Sequence, residues 1–184
     1  SSEGLFEATL RFARALFDVY DARVVSVMPE DGFRFCQCDL CRGKDRPERG
    51  RKGLYSDYVW EFVERVAREL HRTHPDRTVF CSSYGTYTLP PTHIERFSPN
   101  VRIGIVHGRG WYFPDPPIQY ILRGLDRSVM DVRRDWQGRT AFPLFNWEHY
   151  PFTHLGTFEP VYFLHAIDAG IKAQADGALG EFLE

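Results

Sequence analysis

Residues Val24–Cys41 read VVSVMPEDGFRFCQCDLC. The stretch opens on β-branched apolar residues without alternation, the composition of a strand buried on both faces. Two adjacent carboxylates, Glu30 and Asp31, follow where that strand runs out, and three cysteines crowd into the next turn of chain. The stretch reads as a metal knuckle, a redox site, or the rim of an active site. The rest of the chain decides between them, according to whether an apolar strand followed by polar residues recurs.

It recurs along the whole chain. Leu5 to Tyr20 carries Leu5, Phe6, Leu10, Ala13, Leu16, Phe17 and Tyr20 at helical spacing ahead of the first strand, ARVVSVMP. Residues 42–55, RGKDRPERGRKGLY, are polar and punctuated by Gly and Pro, and so predict a surface loop. Ser56 is placed to cap a helix whose apolar face is Tyr58, Val59, Phe62, Val63, Val66, Ala67 and Leu70, ending near His74-Pro75. TVFCSSYG predicts the second strand, TYTLPPTHIERFSPN a loop and VRIGIVHG the third strand. RGWYFPDPPIQ reads as loop and Tyr120 to Trp136 as helix. TAFPLFNWE is the fourth strand, with Pro143 marking an edge or a bulge. A last helix starts at Phe158-Glu159-Pro160, with Val161, Leu164, Ile167 and Ile171 on one side, and GALGEFLE is the fifth strand.

Strands apolar on both faces that alternate with helices predict an α/β fold with parallel strands and right-handed crossovers. No Gly-rich phosphate fingerprint follows any strand, which disfavours a nucleotide-binding doubly wound sheet. The expectation is a single domain over residues 1–184, forming the C-terminal portion, about five strands, of a TIM-type (β/α)8 barrel. The chain begins in a helix and stops on GEFLE, so it is read as an excerpt of a longer chain.

Composition narrows the function classes. The chain has 184 residues and is 43% hydrophobic, which supplies enough apolar surface for one packed core. Its 23 basic and 25 acidic residues are interspersed, so no basic stripe argues for nucleic acid. No apolar run is long enough for a transmembrane segment. The start, SSEGLFEATLRFARALF, is an amphipathic helix rather than a signal peptide. Four cysteines, three of them clustered, do not make a disulfide framework for a chain this long.

In barrels the chemistry sits at the C-terminal ends of the strands. Here those ends carry Glu30-Asp31, then Ser83-Tyr84, then His107, then Asn146-Trp147-Glu148-His149-Tyr150, then Glu181 or Glu184. Each has a plainer reading. Asp31-Gly32 is a common turn pair, His107 reads as a satisfied core histidine, and Tyr84 as packing. Trp147 and Tyr150 read either as buried plugs or as platforms for the apolar face of a sugar. Together they describe carboxylates on two strands facing one cleft rimmed by aromatics, the equipment of glycoside hydrolysis. One carboxylic acid protonates the leaving oxygen, and a second carboxylate attacks the anomeric carbon or activates water. The Glu30-Asp31 doublet suits the acid, since each carboxylate disfavours ionisation of the other.

PEDGFRFCQCDLC, SDYVWEFVERVAREL, HPDRTVFCSSYGTYTLPP and SPNV resemble the domain-of-unknown-function family numbered 4838, associated with glycoside hydrolase family 163. The resemblance runs from about the first strand to the last. It implies a barrel domain in a larger, usually bacterial, extracytoplasmic protein, acting as an endo-β-N-acetylglucosaminidase on complex N-glycans. Oligosaccharides or glycoprotein glycans are the partners implied. In retaining barrel glycosidases the acid/base follows the fourth barrel strand and the nucleophile the seventh. On that analogy Glu30 falls on the acid/base, with Asp31 its rival, and Glu148 on the nucleophile. Tyr84, His107, Trp147, Tyr150 and Glu181 would bind substrate. In the other mechanism the substrate's own acetamido group attacks, Glu30 and Asp31 form the whole apparatus, and Glu148 binds sugar.

No redox or organic cofactor is expected. Cys36, Cys38 and Cys41 have C-x-C-x-x-C spacing, which suits a structural zinc whose fourth ligand would be Asp39, Cys81 or a histidine. The other reading is a compact loop of half-buried thiols, with one disulfide if the protein is exported. Two further functions stay open: a non-catalytic carbohydrate-binding domain on a degenerate barrel, and a zinc-stabilised interaction domain.

Overall fold

Among the described residues, five parallel strands form one sheet in the order of the sequence, β1-β2-β3-β4-β5. A computed structural model of the chain describes residues 3–30, 35–107, 129–148, 168, 171–172, 175 and 178–183. The strands are β1 (Val24–Ser26), β2 (Thr78–Ser83), β3 (Val101–His107), β4 (Leu144–Glu148) and β5 (Ala178–Leu183). The helices are α1 (Glu3–Tyr20), the single turn α2 (Gly50–Gly53), α3 (Ser56–Thr73) and α4 (Val129–Trp136).

Register sorts the strand residues into two faces. Val25, Val79, Val101, Ile103, Ile105 and Leu144 share one face, and all are buried in a single cluster with Leu10 and Phe17 of α1, Val63 and Leu70 of α3, and Trp136 of α4. These helices therefore cover the same face of the sheet. A doubly wound sheet would carry helices on both faces and reverse its strand order at a switch point. Consecutive order, with the described helices on one face, is compatible with the winding of a (β/α) barrel segment. The fold is thus α/β as expected, and compatible with part of such a barrel.

The two long helices follow their apolar periodicity. Phe6, Leu10, Ala13 and Phe17 of α1 are buried, whereas Leu5 and Tyr20, assigned to the same face from spacing, are 53% and 75% exposed. They sit at the margins of the stripe, where the helix surface turns away from the sheet. In α3 the expected Val59, Val63, Val66, Ala67 and Leu70 are buried, with Trp60 and Glu64 beside them. Ser56 is the first residue of α3, and Tyr55 occupies the cap position without a side-chain capping bond.

Trp60 and Trp136 join the two helices. Their rings lie 4.5 Å apart, and Phe97 packs on both. A buried indole N–H needs an acceptor. Trp60 Nε1 donates to Tyr87 O (3.0 Å), and Trp136 Nε1 donates to Thr88 O (2.9 Å). The loop after β2 is thereby drawn under both helices, and Ser83 Oγ, also buried, donates to Thr88 O (2.7 Å).

Two buried carboxylates pin the same loop further along. Glu64 accepts from the N–H of Ser98 (2.9 Å) and from Arg68 Nε (2.6 Å). Asp57 accepts from the Thr92 N–H (2.7 Å) and hydroxyl (3.0 Å) and from Arg49 Nη1 (3.2 Å). Burial alone would raise the Asp57 pKa. The Thr92 hydrogen bonds, Arg49 and His93 outweigh it and hold the carboxyl below its ordinary value.

Several boundaries move. β1 is three residues long and β4 begins after Pro143, whose ring cannot donate to a ladder. Val24, expected in a strand buried on both faces, is 43% exposed, because β1 has only β2 as a neighbour among the described strands. The expected surface loop at 42–55 contains a 3₁₀ turn, Pro47–Arg49, and α2. The helix expected from Tyr120 is described from Val129, and the last helix only at residues 168 and 171–172.

Candidate functional site

The face of the sheet away from α1, α3 and α4 is built by alternate residues: Ser26 of β1, Phe80 and Ser82 of β2, Arg102, Gly104 and Val106 of β3, Phe145 and Trp147 of β4. Inward residues of barrels stack in layers, and the same order runs up these strands. Phe80 pairs with Arg102 at the lower level. Ser82 pairs with Gly104, and Gly104 with Phe145, at the middle. Val106 pairs with Trp147 above them.

Gly104 makes the middle layer possible. A Cβ there would lie 2.8 Å from the Phe80 ring and 2.8 Å from Ser82 Oγ. Its absence lets the Phe80 and Phe145 rings meet edge to face at 6.1 Å. Ser82 is fully buried, and its hydroxyl has no hydrogen-bond partner among the described residues. Below it the Arg102 guanidinium lies over Phe142, 4.5 Å from the ring centroid. The period of two along β2 and β3 is the signal that marks Phe80, Ser82 and Arg102 as one face. None of the three stands at a strand end.

The sequence candidates fall as follows. His107 ends β3 and Glu148 ends β4, and the two are register partners, with Leu183 of β5 next in the same row. Trp147 is half-buried and shares with Phe145 the face away from α1, α3 and α4. Glu181 lies inside β5, level with Asn146 and one side-chain repeat below the Glu148 row, rather than at a strand end. Asn146 faces the helix layer, where the buried Arg133 donates Nη1 to its Oδ1 (2.5 Å). Tyr84 directly follows β2 and is half-buried against the core, edge-on to Tyr87 at 6.4 Å, so packing accounts for at least part of its placement. Glu30 is exposed, just beyond the last residue that pairs with β2, Val27, whose N–H donates to Phe80 O (2.8 Å). Asp31 and Tyr150 lie outside the described residues.

The cysteine loop brings three thiols together. The Sγ atoms of Cys36, Cys38 and Cys41 all lie within 4.8 Å of one another, so the group can hold a metal such as zinc. The turn is set by the N–H groups of Cys41 and Arg42, which both donate to Cys38 O at 2.9 Å. The Cys38 thiol is lowered to about 7 by hydrogen bonding with the Cys36 and Cys41 sulfurs and by the backbone N–H groups of Leu40 and Cys41. Cys41 is buried, and its sulfur lies 3.4 Å from the Tyr58 hydroxyl of α3. Burial and Cys41 raise the Tyr58 pKa, which keeps that hydroxyl protonated.

Two of the proposed fourth ligands are excluded by position. Cys81 is fully buried in the sheet, its thiol raised by desolvation. Asp39 points to solvent, 93% exposed and 3.1 Å from Arg42. A thiol on a central strand and an aspartate at the tip of a turn could not both be placed from spacing alone.

No described helix is long and apolar enough to cross a membrane. The model of one protein family matches residues 1–179, and its description is a domain of unknown function (DUF4838). No curated protein and no solved structure matches the chain.

Proposed function

We propose, for a chain that belongs to the DUF4838 family, glycoside hydrolase activity, with the site at the C-terminal rim of the sheet. The observation that carries this reading is the winding. The strands are parallel and consecutive, and α1, α3 and α4 cover a single face. In a closed barrel of this winding, β1 and β4 occupy positions three strands apart and face one another across the mouth. Glu148 ends β4, and Glu30, with Asp31 next to it, follows β1. That spacing corresponds to the fourth and seventh barrel strands, from which retaining glycosidases draw their acid/base and their nucleophile.

On this reading Glu148 is the nucleophile or charge stabiliser, and Glu30 or Asp31 protonates the leaving oxygen. The two carboxyl groups must approach to about 5 Å for a retaining mechanism. His107, the register partner of Glu148, is assigned to substrate binding. Trp147 supplies an apolar wall for a sugar face, and Tyr150 and Tyr84 are its candidate companions. The substrate class is glycans containing N-acetylglucosamine, by the resemblance to glycoside hydrolase family 163, and an extracytoplasmic location goes with it. In the substrate-assisted form of the mechanism, Glu30 and Asp31 orient the acetamido group.

The test is release of complex N-glycans from a glycoprotein by the natural full-length protein, read by mass spectrometry beside Glu148→Gln. Release that disappears in the variant supports the assignment. Wild-type turnover in Glu148→Gln removes it. The aromatic wall of Phe80, Phe145 and Trp147 also favours a second reading, a carbohydrate-binding domain without turnover. That reading is distinguished by glycan binding without release from either protein.

A further inference from the structure

The described part of the loop between β1 and α3 is anchored at its far end, where Arg49 donates to Asp57 Oδ1 (3.2 Å) and to Pro90 O (2.6 Å). Phe35 stacks on Tyr55 (3.9 Å between centroids), Arg46 N–H donates to Leu54 O (2.7 Å), and Lys44 N–H donates to Cys41 O (3.2 Å). Among those contacts stand three cysteines whose sulfurs converge. We propose that Cys36, Cys38 and Cys41 together bind one zinc ion, and that this ion fastens the β1–α3 loop to α3 through Cys41 and Tyr58. The proposal does not depend on the glycosidase reading.

Geometry favours a metal over a disulfide. Tetrahedral zinc with Zn–S distances of about 2.3 Å sets its sulfurs roughly 3.8 Å apart. All three separations already lie at or below 4.8 Å, and rotation of the exposed Cys36 and Cys38 side chains is enough to close the difference. A disulfide would join two sulfurs and leave the third, with no account of why all three converge. Three sulfur donors select a soft or borderline cation, zinc above all, over calcium or magnesium. The Tyr58 hydroxyl, 3.4 Å from Cys41 Sγ, is placed to donate to the bound thiolate, as outer groups do around metal sites. Among the described residues no fourth Cys, His, Asp or Glu joins the cluster. All four cysteines of the chain are described and Cys81 is buried in the sheet, so the ion's remaining ligand is a nitrogen or oxygen donor, three sulfurs and one light atom in all.

The test uses the intact chain. Elemental analysis after purification without chelator is expected to find one zinc per chain. Cobalt added to chelator-stripped protein should give sulfur-to-cobalt charge-transfer bands and the intense visible bands of a tetrahedral site. X-ray absorption on the zinc form should count three sulfurs and one light atom. Trypsin provides the structural readout, because Arg42 and Lys44 lie in the loop; stripping should accelerate cleavage there, and zinc should restore resistance. Cys38→Ser should lose the ion, whereas Cys81→Ala, altered in the sheet core, should keep it. If Cys38→Ser does not fold, stripping and reloading the wild-type chain still decide the matter. Three thiols that stay freely titratable after zinc is added would overturn the proposal. So would a native disulfide among them, or loss of the ion in Cys81→Ala.

Discussion

His107, the last residue of β3, is the register partner of Glu148, the last residue of β4. Neighbouring parallel strands lie about 4.8 Å apart, so the backbones of the two residues end side by side at the C-terminal rim of the sheet. Under the glycosidase reading, the roles of Glu148 and the β1 acids separate by leaving group. An aryl glycoside with an acidic leaving group needs no protonation to depart. Glu30→Gln, or Asp31→Asn if that residue is the acid, should lose roughly 10²- to 10⁴-fold on a natural glycan and much less on the aryl substrate. Glu148→Gln should lose activity on both. Equal losses on both substrates for the β1 variants would contradict the acid assignment.

Gly104→Ala tests the face of the sheet away from α1, α3 and α4. The added methyl meets the Phe80 ring and Ser82 Oγ, each at 2.8 Å. The ring must rotate or the strands must part, which costs about 1–3 kcal/mol in a packed layer. The expected result is a lower denaturant midpoint with an unchanged slope. A variant as stable as the parent would mean that Phe80 has free space on that face.

Trp60→Ala should be among the most damaging substitutions in the helix layer. The ring is fully buried against Trp136 and Phe97, and its N–H satisfies Tyr87 O. Losing it leaves a cavity and removes the hydrogen bond to Tyr87 O, at about 3–5 kcal/mol, or a drop in Tm of roughly 6–20 °C. Calorimetry would show it, and a shift of about 2 °C or less would disagree with the packing described.

Asp57 carries a pH dependence whose sign follows from its depressed pKa. The unfolded carboxyl has its ordinary value, 3.8, and the folded one lies lower. Its stabilisation is therefore present above the unfolded value and fades as pH falls through the folded one. Asp57→Asn should be less stable than the parent near pH 7 by about 1–3 kcal/mol, and the two should converge in acid. A gap that stays constant down to about pH 3 would mean that hydrogen bonding alone, and not charge, holds Thr92.

The buried charges show where reading the sequence stops. Glu64 stands at an ordinary helical position beside the apolar stripe, yet it is buried because Ser98, far along the chain, brings an N–H to it. Arg133 is buried because Asn146 receives it. Nothing at these positions distinguishes them locally from solvated charges, since the compensating partner lies on another element. The cysteine cluster was legible for the opposite reason. Its three ligand atoms lie in one turn, and local spacing nearly determines their separation.

Periodicity is a property of neighbours in the chain, so the amino-acid pattern alone determined the two long helices, the five strands and their α/β alternation. The positions of His107 and Glu148 at the ends of β3 and β4 also followed, because strand ends are local. Which face the helices cover was decided only in the folded sheet, where register aligns Val79, Val101 and Leu144 toward α3 and sets Phe80, Arg102 and Phe145 on the other side. A parallel sheet joins residues separated by whole helices and loops. Its register is settled by how those helices pack, a sum over many distant contacts that no single stretch of sequence contains.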